Sequence, residues 1–281
     1  MKTASSGSRA AVLGHPVEHS LSPVLHRAAY EALGLNWSYD AIDVTAESLG
    51  DFVDALDETW AGLSLTMPLK VGVLDHLDFV EPMGKMLRAV NTVIVDNTGP
   101  YRALVGANTD VHGIVAAFGE AGVDKVAKPV VLGGGATATS AVAAFAQLGS
   151  RQQTVVVRAK RRAGGLIRAA NAMGVDVNFV GFDQAPAVLT TADAVVSTVP
   201  AAVGEDVGAE IKQVGAGAAL LDAVYDPLHT PLLRAWGRAG GTEIAGTRML
   251  LHQAAEQVRL MTGSVAPLAK MDHALVSHLS H

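Results

Sequence analysis

The chain has 281 residues, a length that suits two domains of ordinary size, since single hydrophobic cores rarely grow beyond roughly 250–300 residues. Hydrophobic residues make up 49% of the sequence and charged residues 17%, which excludes a disordered protein. The formal charge of −6 argues against nucleic acid or an anionic membrane as the main partner, and the absence of cysteine excludes a disulfide framework and a thiolate nucleophile.

The beginning of the sequence and its apolar runs bear on location. The opening residues, MKTASSGSR, lack the apolar stretch of a signal peptide, and no later apolar run reaches the roughly 18–20 residues of a transmembrane helix. We therefore expect a cytoplasmic protein that acts on a small molecule, with neither a membrane nor a nucleic acid as partner.

Short apolar runs alternate along the chain with Ala- and Leu-rich stretches of helical character. Strands are predicted at residues 10–13, 37–44, 61–66, 89–96, 129–133, 154–158, 177–180, 194–198 and 218–222. Helices are predicted at residues 23–33, 111–121, 137–148, 231–237, 247–261 and 267–279. This alternation predicts an α/β fold of parallel sheets with crossover helices.

A domain boundary is expected near Asp110, because a new strand–helix unit with its own glycine-rich turn begins at Pro129. The N-terminal α/β lobe would comprise residues 1–110, completed by the C-terminal helices within residues 247–281. The second lobe would comprise residues 111–246. We expect an active-site cleft between the two lobes, since ligands commonly bind between domains.

The segment GHPVEHSLSPVLH follows the first predicted strand. Ser22 stands before a proline, a pattern typical of a helix N-cap, whereas Ser20 is not needed for capping. Two residues apart in an extended segment, both hydroxyls can face one polar ligand. The three histidines of this segment lack a neighbouring set of carboxylates, so no metal site is predicted.

Further polar residues stand at or just beyond the ends of predicted strands in the first lobe. They are Thr66, Lys70, Asn91, Asn108 and Asp110. In open α/β sheets, ligands collect at this edge, so these residues are candidates for a binding site. Asp110 could equally cap the helix that follows it, and Lys70 could be a solvated residue at a helix start.

The sequence PVVLGGGATATSAVAAFAQLG combines an apolar strand, three glycines and a helix of small residues. Gly133 allows a tight turn, and Gly135 lets backbone N–H groups approach a pyrophosphate at the helix N-terminus. Ala138 occupies the third small position of the pattern, where helix and strand pack closely. Because a strand precedes this motif and a helix follows it, we predict a Rossmann-type dinucleotide-binding lobe.

The next strand ends in a basic cluster, Arg158, Lys160, Arg161 and Arg162, at the place where an NAD-binding unit normally carries an acidic residue. No Asp or Glu occurs between Asp124 and Asp176. The cluster favours the 2′-phosphate of NADP over a solvated helix start, and a nucleic-acid patch is the remaining alternative.

Taken together, these segments resemble the shikimate dehydrogenase family over nearly the whole chain. The family's elements appear as HSLSP, SLTMPLK, AVNT, NTD, GGGAT, VRAKRR, DAVYDPLHTPL and MLLHQAAEQ, in the family's order. No single element is specific, but the ordered set is.

The resemblance implies reversible reduction of 3-dehydroshikimate to shikimate by NADPH, in a monomer or homodimer that needs no metal. Lys70 and Asp110 match the family's catalytic pair, with Lys70 acting either as the true acid/base or as an electrostatic clamp. The implied substrate-binding residues are Ser20, Ser22, Thr66, Asn91, Asp110, Tyr225 and Gln253. The implied cofactor-binding residues are Gly133, Gly134, Gly135, Ala136, Arg158, Arg162, Thr198, Val199, Gly246 and Met249.

Three departures from the family pattern affect this interpretation. Ser64 stands where the family usually has Asn, Ala136 replaces a glycine of the phosphate turn, and the arginine clamp lacks its Asn and Thr. The alternatives are a dehydrogenase of quinate or of an aminated relative of shikimate, and a non-catalytic NADP-binding paralogue. Ser22 favours shikimate over quinate, and retention of both Lys70 and Asp110 favours an enzyme.

Overall fold

The computed structural model describes residues 7–280, which fall into two compact units. The first unit contains the described residues up to Thr109 together with those from Gln253 onward, and the second is Asp110–His252. Each unit has its own six-stranded sheet. Among the helices of residues 7–280, none combines the length and the apolar composition that crossing a bilayer requires.

The secondary structure of residues 7–280 alternates strands and helices. The strands are β1 (Arg9–Gly14), β2 (Ser38–Asp43), β3 (Trp60–Leu65), β4 (Phe79–Val80), β5 (Thr92–Asp96), β6 (Ala103–Ala107), β7 (Pro129–Leu132), β8 (Gln152–Val156), β9 (Asp176–Val180), β10 (Ala194–Ser197), β11 (Ala219–Asp222) and β12 (Thr242–Ala245). The α-helices are α1 (Ser22–Ala32), α2 (Leu49–Asp54), α3 (Leu69–Gly72), α4 (Pro82–Leu87), α5 (Asp110–Glu120), α6 (Ala136–Gln147), α7 (Gly164–Met173), α8 (Ala185–Thr190), α9 (Ala201–Ala209), α10 (Pro231–Arg238), α11 (Gly246–Thr262) and α12 (Leu268–Leu279).

The sheet of the first unit is mixed, in the order β2-β1-β3-β5-β6-β4. β1 pairs in parallel with β2 and β3, but β5 runs antiparallel to both β3 and β6. The prediction of a purely parallel sheet is therefore wrong for this unit. The reason lies in the short connection between β5 and β6, since antiparallel neighbours need only a turn, whereas parallel ones need a crossover of a dozen residues or more.

The predicted strand at residues 89–96 begins later than expected. β5 starts at Thr92, and the residues before it bond to the end of β6 and to α3. The Val90 N–H donates to the carbonyl of Lys70 at 2.8 Å, and the Asn91 N–H donates to the carbonyl of Ala107 at 3.2 Å. Asn91 is thereby fixed at the strand entrance.

The first unit closes its core with aromatic and aliphatic side chains from β1, β3 and β5, among them Leu13, Leu63 and Val93. The C-terminal helix α12 packs against α1. Gly14, at the end of β1, lies so close to Thr66 that a Cβ atom there would collide with the threonine methyl group.

The sheet of the second unit is parallel throughout, in the order β12-β11-β10-β7-β8-β9. The chain moves outward from β7 through β8 to β9, then returns to the other side of β7 with β10. The strand order therefore reverses between the neighbours β7 and β10. Doubly wound sheets bind ligands at such a switch point. β7, β10 and β11 are buried along their whole length, as expected for a parallel sheet covered on both faces.

Helix α6 is made of small residues and is buried on nearly all sides. Residues 138–145 are all buried, including Ala141 and Ala144 at 0% exposure. The helix is flanked by α5 and α7 and rests on β7 and β10. Its small side chains allow this close approach.

Candidate active site

The serine segment folds differently from its prediction. Leu21 already has helical torsion angles, so Ser22 is the first residue within α1 and its predicted N-cap role is wrong. Ser20 Oγ instead accepts the backbone N–H of Ser22 at 3.3 Å, although that serine was predicted not to contribute to capping. The Ser22 side chain is consequently left to interact elsewhere.

The hydroxyl of Ser22 meets a buried tyrosine. Burial raises the pKa of Tyr39, and hydrogen bonds with Ser64 and Ser22 oppose that rise. The Tyr39 hydroxyl donates to Ser64 Oγ at 2.6 Å. Ser64, which stands where the family usually has Asn, is therefore part of a buried hydrogen-bond network.

Asn91 is the most heavily bonded of the predicted substrate residues. Its Nδ2 donates to Thr109 Oγ1 at 2.9 Å and to Gln253 Oε1 at 3.1 Å, and its Oδ1 accepts the Thr109 N–H at 2.8 Å. Asn91 is 1% exposed, and Gln253 is 7% exposed. The structure thus brings together two residues that lie 162 positions apart in the sequence.

The members of this cluster that were not predicted include His26, Thr109 and Gln257. Thr109 is the middle residue of the NTD element, and Gln257 lies one helical turn after Gln253 on α11, so both could have been found from spacing. His26 lies one turn after Ser22 on α1, but nothing local to its sequence indicates its partner.

His26 is completely buried. Its Nε2 lies 3.1 Å from Gln257 Oε1, its Nδ1 lies 3.3 Å from the Tyr30 hydroxyl, and its ring stacks on Tyr39 at a centroid distance of 3.9 Å. Burial lowers the pKa of His26 to about 4, and the hydrogen bond with Gln257 only partly opposes this effect. The imidazole is therefore neutral at physiological pH.

Thr66 and Lys70 follow β3. Thr66 is half-buried, and its carbonyl accepts the N–H of Leu69, which closes the turn into α3. Lys70 is half-buried on α3, and its carbonyl holds the residue before Asn91. Asn108 is buried, and its Nδ2 donates to the Ala89 carbonyl at 2.9 Å. The backbone around Lys70 is thus tied to the segment that carries Asn91.

Asp110 and Tyr225 belong to the second unit. Asp110 is the first residue of α5 and is 3% exposed. Tyr225 follows β11, and burial raises the pKa of its phenol. Asp222 accepts a hydrogen bond from Thr230 at 2.7 Å, so the first Asp and the Thr of DAVYDPLHTPL have a structural role. The pairing of Asp110 with Lys70 remains a prediction.

The second unit has a cavity of about 330 Å³ at its switch point. It is lined by seven predicted cofactor residues, Gly133, Gly134, Gly135, Arg158, Arg162, Thr198 and Val199. Phe182, Pro200 and Val203 also line it and were not predicted, since no sequence motif marks them. The glycine turn and the end of β8 therefore converge on one cavity.

Glycine is required at Gly133. Its φ of +117° is unfavourable for other residues, and a Cβ atom there would collide with Thr198 Oγ1. At Gly135, by contrast, a Cβ atom would project into open space. Ala136 directly follows as the first residue of α6, whose N-terminus is a favourable place for phosphate.

The basic cluster after β8 separates into two kinds of residue. Arg158 and Arg162 line the cavity, and within residues 7–280 neither guanidinium group has a hydrogen bond or ion pair. Lys160 lies over the Phe179 ring at 5.1 Å, and neither it nor Arg161 lines the cavity. A glycine-walled cavity bordered by two available cations fits a phosphorylated dinucleotide such as NADP.

Gly246 and Met249 lie at the start of α11 and do not line this cavity. Gly246 packs against the backbone of Asp222 and Ala223, where a Cβ atom would not fit. Met249 is buried at 7% exposure. Their predicted contacts with the cofactor remain predictions.

Models of protein families match both ends of the chain. Residues 12–93 match the shikimate dehydrogenase substrate binding domain, and residues 246–276 match the shikimate 5′-dehydrogenase C-terminal domain. The NADP(+)-dependent shikimate dehydrogenase of Methanothermobacter thermautotrophicus is 32% identical over 272 residues, covering 94% of each chain.

Solved structures agree with this similarity. Shikimate dehydrogenase of Mycobacterium tuberculosis superposes with a TM-score of 0.85 at 38% identity, over 96% of this chain and 99% of that one. The Thermus thermophilus enzyme in complex with NADP(H) and shikimate superposes with a TM-score of 0.80 at 32% identity, over 96% and 99% of the two chains.

Proposed function

Because the chain belongs to the shikimate dehydrogenase family, we propose that it catalyses the reversible NADP-dependent reduction of 3-dehydroshikimate to shikimate. The structural observation that carries this proposal is the buried contact between Asn91 and Gln253, two polar residues that lie 162 positions apart in the sequence. A site built from fixed donors and acceptors suits a substrate rich in hydroxyl groups.

Bound NADPH supplies the hydride in this reaction. Lys70 stabilises the negative charge that builds up on the carbonyl oxygen and delivers a proton to that oxygen. Asp110 orients the ammonium group of Lys70 and accepts a hydrogen bond from a substrate hydroxyl. The same two residues act in reverse when shikimate is oxidised.

The remaining site residues hold the substrate. Ser20 and Ser22 donate to its carboxylate, while hydroxyl groups of the ring contact Thr66, Asn91, Gln253 and Tyr225. Support comes from the burial of Asn91 and Gln253 and from the side chain of Ser22, which the helix start does not use. A site of this kind discriminates strongly against analogues that lack one hydroxyl group.

We assign the 2′-phosphate of NADP to Arg158 and Arg162, and the pyrophosphate to Gly133–Gly135 and the N-terminus of α6. Thr198 and Val199 form the opposite wall. Gly246 and Met249 complete the nicotinamide side. The two guanidinium groups beside the glycine turn, which have no partner among the described residues 7–280, support the preference for NADP over NAD.

Absorbance at the NADPH band tests this function directly. Purified protein should reduce NADP in the presence of shikimate, with NAD and quinate each giving a much lower kcat/KM. Faster turnover of quinate would make the protein a quinate dehydrogenase, and faster turnover with NAD would refute the assignment of the arginines. No turnover with either substrate, despite bound NADPH, would indicate a non-catalytic paralogue.

We also propose a cytoplasmic location, in keeping with a reaction that uses free NADPH, and an assembly no larger than a homodimer. The acidic net charge supports a role without nucleic acid. Size-exclusion chromatography with light scattering distinguishes a monomer or a dimer from a larger assembly, which would contradict this proposal.

A further inference from the structure

Gln257 lies at the centre of the buried polar network of the first unit. It is 1% exposed and carries four hydrogen bonds. Its Nε2 donates to the Asn91 carbonyl at 3.2 Å and to Thr92 Oγ1 at 3.0 Å. Its Oε1 accepts from Ser64 Oγ at 2.9 Å and lies 3.1 Å from His26 Nε2. Every donor and acceptor of this amide is therefore used.

The chemistry of its partners fixes which way the amide faces. A backbone carbonyl can only accept, so the Asn91 oxygen requires the Nε2 group of Gln257. The Oε1 atom must then face His26 and Ser64. His26 consequently carries its proton on Nε2, and its Nδ1 accepts from the Tyr30 hydroxyl.

Two lines of hydrogen bonds lead from this fixed amide, and the first reaches the predicted substrate residue Asn91. Along the first, Thr92 accepts from Gln257 and donates to Asn91 Oδ1 at 2.9 Å. The Thr109 N–H, which can only donate, fixes the orientation of the Asn91 amide, and the line from Gln257 supports its Oδ1 atom in that orientation.

Along the second line, the Ser64 hydroxyl donates its hydrogen bond to Gln257 Oε1. Tyr39 must therefore donate to Ser64. Ser64 and Tyr39 thus hold the Oε1 side of the Gln257 amide, while its Nε2 side holds Asn91 and Thr92.

We propose that Gln257 is a positioning residue for substrate binding, because its amide holds both the backbone carbonyl of Asn91 and the Thr92 hydroxyl that donates to Asn91 Oδ1. This inference rests on the proposed function. Gln257 itself touches no substrate; it acts through Asn91, the residue that holds a ring hydroxyl. Loss of Gln257 therefore weakens binding of the ground state and of the transition state alike. The KM for the substrate rises more than kcat falls.

Gln257→Met tests the proposal, since it keeps the length of the side chain and removes all four hydrogen bonds. We expect the KM for shikimate to rise about tenfold, kcat to fall less than about threefold, and the KM for NADP to stay within about twofold of the parent. Steady-state kinetics with each substrate varied in turn give all three numbers.

Val258→Ala is the matched control. Val258 is the next residue of α11, is 0% exposed, and has no side-chain contact with the network through hydrogen bonds. The truncation lowers the thermal midpoint by loosening the core, so it reports what destabilisation alone does to KM. We expect its KM for shikimate to stay within about twofold of the parent.

Tyr39→Phe provides a second and gentler test. It keeps the ring that stacks on His26 and removes only the hydroxyl that donates to Ser64, a partner of Gln257. We expect a rise in the KM for shikimate of about threefold, with the KM for NADP unchanged. If Gln257→Met fails to fold, this variant decides the question.

The network can also be tested without catalysis. Nitrogen-15 NMR of the His26 ring at pH 7 should show a neutral imidazole protonated at Nε2, and protonation at Nδ1 would overturn the hydrogen-bond directions. An active parent whose KM is unchanged in both folded variants would overturn the positioning role and leave the proposed function standing. A parent that does not oxidise shikimate would refute the function first.

Discussion

The two units hold their functional residues in different ways. In the first unit, Asn91 and Gln253, two of the side chains predicted to meet the substrate, are buried and bonded to each other, and Asn91 is also bonded to Thr109. In the second, the backbone of a glycine turn walls the cavity, while Arg158 and Arg162 are exposed and have no ion pair within residues 7–280.

The difference follows from what each side is proposed to recognise. A neutral hydroxyl is identified by the direction of its hydrogen bonds, which must be fixed in advance. A phosphate group attracts cations over a longer range and tolerates mobile ones. Breaking the first kind of site leaves buried polar groups unpaired, at a cost of about 1–3 kcal/mol each, whereas removing an exposed arginine costs almost no folding energy.

Lys70→Ala has the largest expected effect. Lys70 is also an exception to the comparison of the two units, because it is only half-buried although it belongs to the first unit. We expect kcat to fall by about a hundredfold or more, the usual size of a lost general acid, with little change in stability. Single-turnover and steady-state rates measure the loss. Lys85→Ala, an exposed lysine on α4, is the control. Turnover within about threefold of the parent would contradict the catalytic role.

The buried His26 of the first unit makes the free energy of unfolding depend on pH. Its pKa is about 4 in the folded protein and 6.5 when unfolded, so the unfolded chain binds more protons between these values. The contribution of the neutral imidazole to the free energy of unfolding is fully present above pH 6.5. It declines as the pH falls and is lost at about pH 4. At pH 5 the loss is about 2 kcal/mol.

Urea unfolding followed by tryptophan fluorescence at pH 7.5 and pH 5 measures this effect. In His26→Gln, the free energy of unfolding should differ less between pH 7.5 and pH 5 than it does in the parent. This holds whatever the substitution does to stability at pH 7.5. His278→Gln, an exposed histidine on α12, should leave the difference unchanged. Equal pH dependence in the parent and His26→Gln would show that His26 does not titrate with unfolding.

Arg158→Ala tests the second unit. We expect the KM for NADPH to rise about tenfold and that for NADH to change less than about twofold, with an unaltered thermal midpoint. Arg161→Ala is the matched control, because Arg161 is exposed in the same segment and does not line the cavity. Equal losses with the two cofactors would refute the contact with the 2′-phosphate.

Ser20→Ala has the smallest expected effect. Ser20 is half-buried, and its hydroxyl accepts one weak hydrogen bond from the backbone of Ser22. Loss of one donor to the substrate carboxylate should raise the KM for shikimate about threefold to fivefold and leave kcat nearly unchanged. An unchanged KM would remove Ser20 from the binding site.

The fold was predictable where local pattern determines it. The nine predicted strands all coincide with strands of the structure, and the parallel sheet of the second unit follows from regular strand–helix alternation. β4, β6 and β12 were missed. β4 has only two residues, and β6 lies behind the turn residues of NTGPYR, a hairpin signal that would also have revealed the antiparallel pairing.

The candidate site divides in the same way. The glycines and arginines of the cofactor cavity stand within a single strand–helix–strand stretch, so their spacing predicts their meeting. The contact between His26 and Gln257 joins residues 231 positions apart and depends on how α1 and α11 pack. No local pattern encodes it. The predicted N-cap at Ser22 is wrong because the helical conformation already begins at Leu21.

The small side chains of α6 also constrain how this sequence can diverge. The helix begins at the glycine turn, so the depth at which it lies against β7 and β10 decides where that turn stands. Replacing Ala141 or Ala144 by a larger residue would lift the helix and carry the turn with it. Selection for cofactor binding therefore extends to alanines in the core that never meet the cofactor, and drift toward bulkier residues along this helix is restricted.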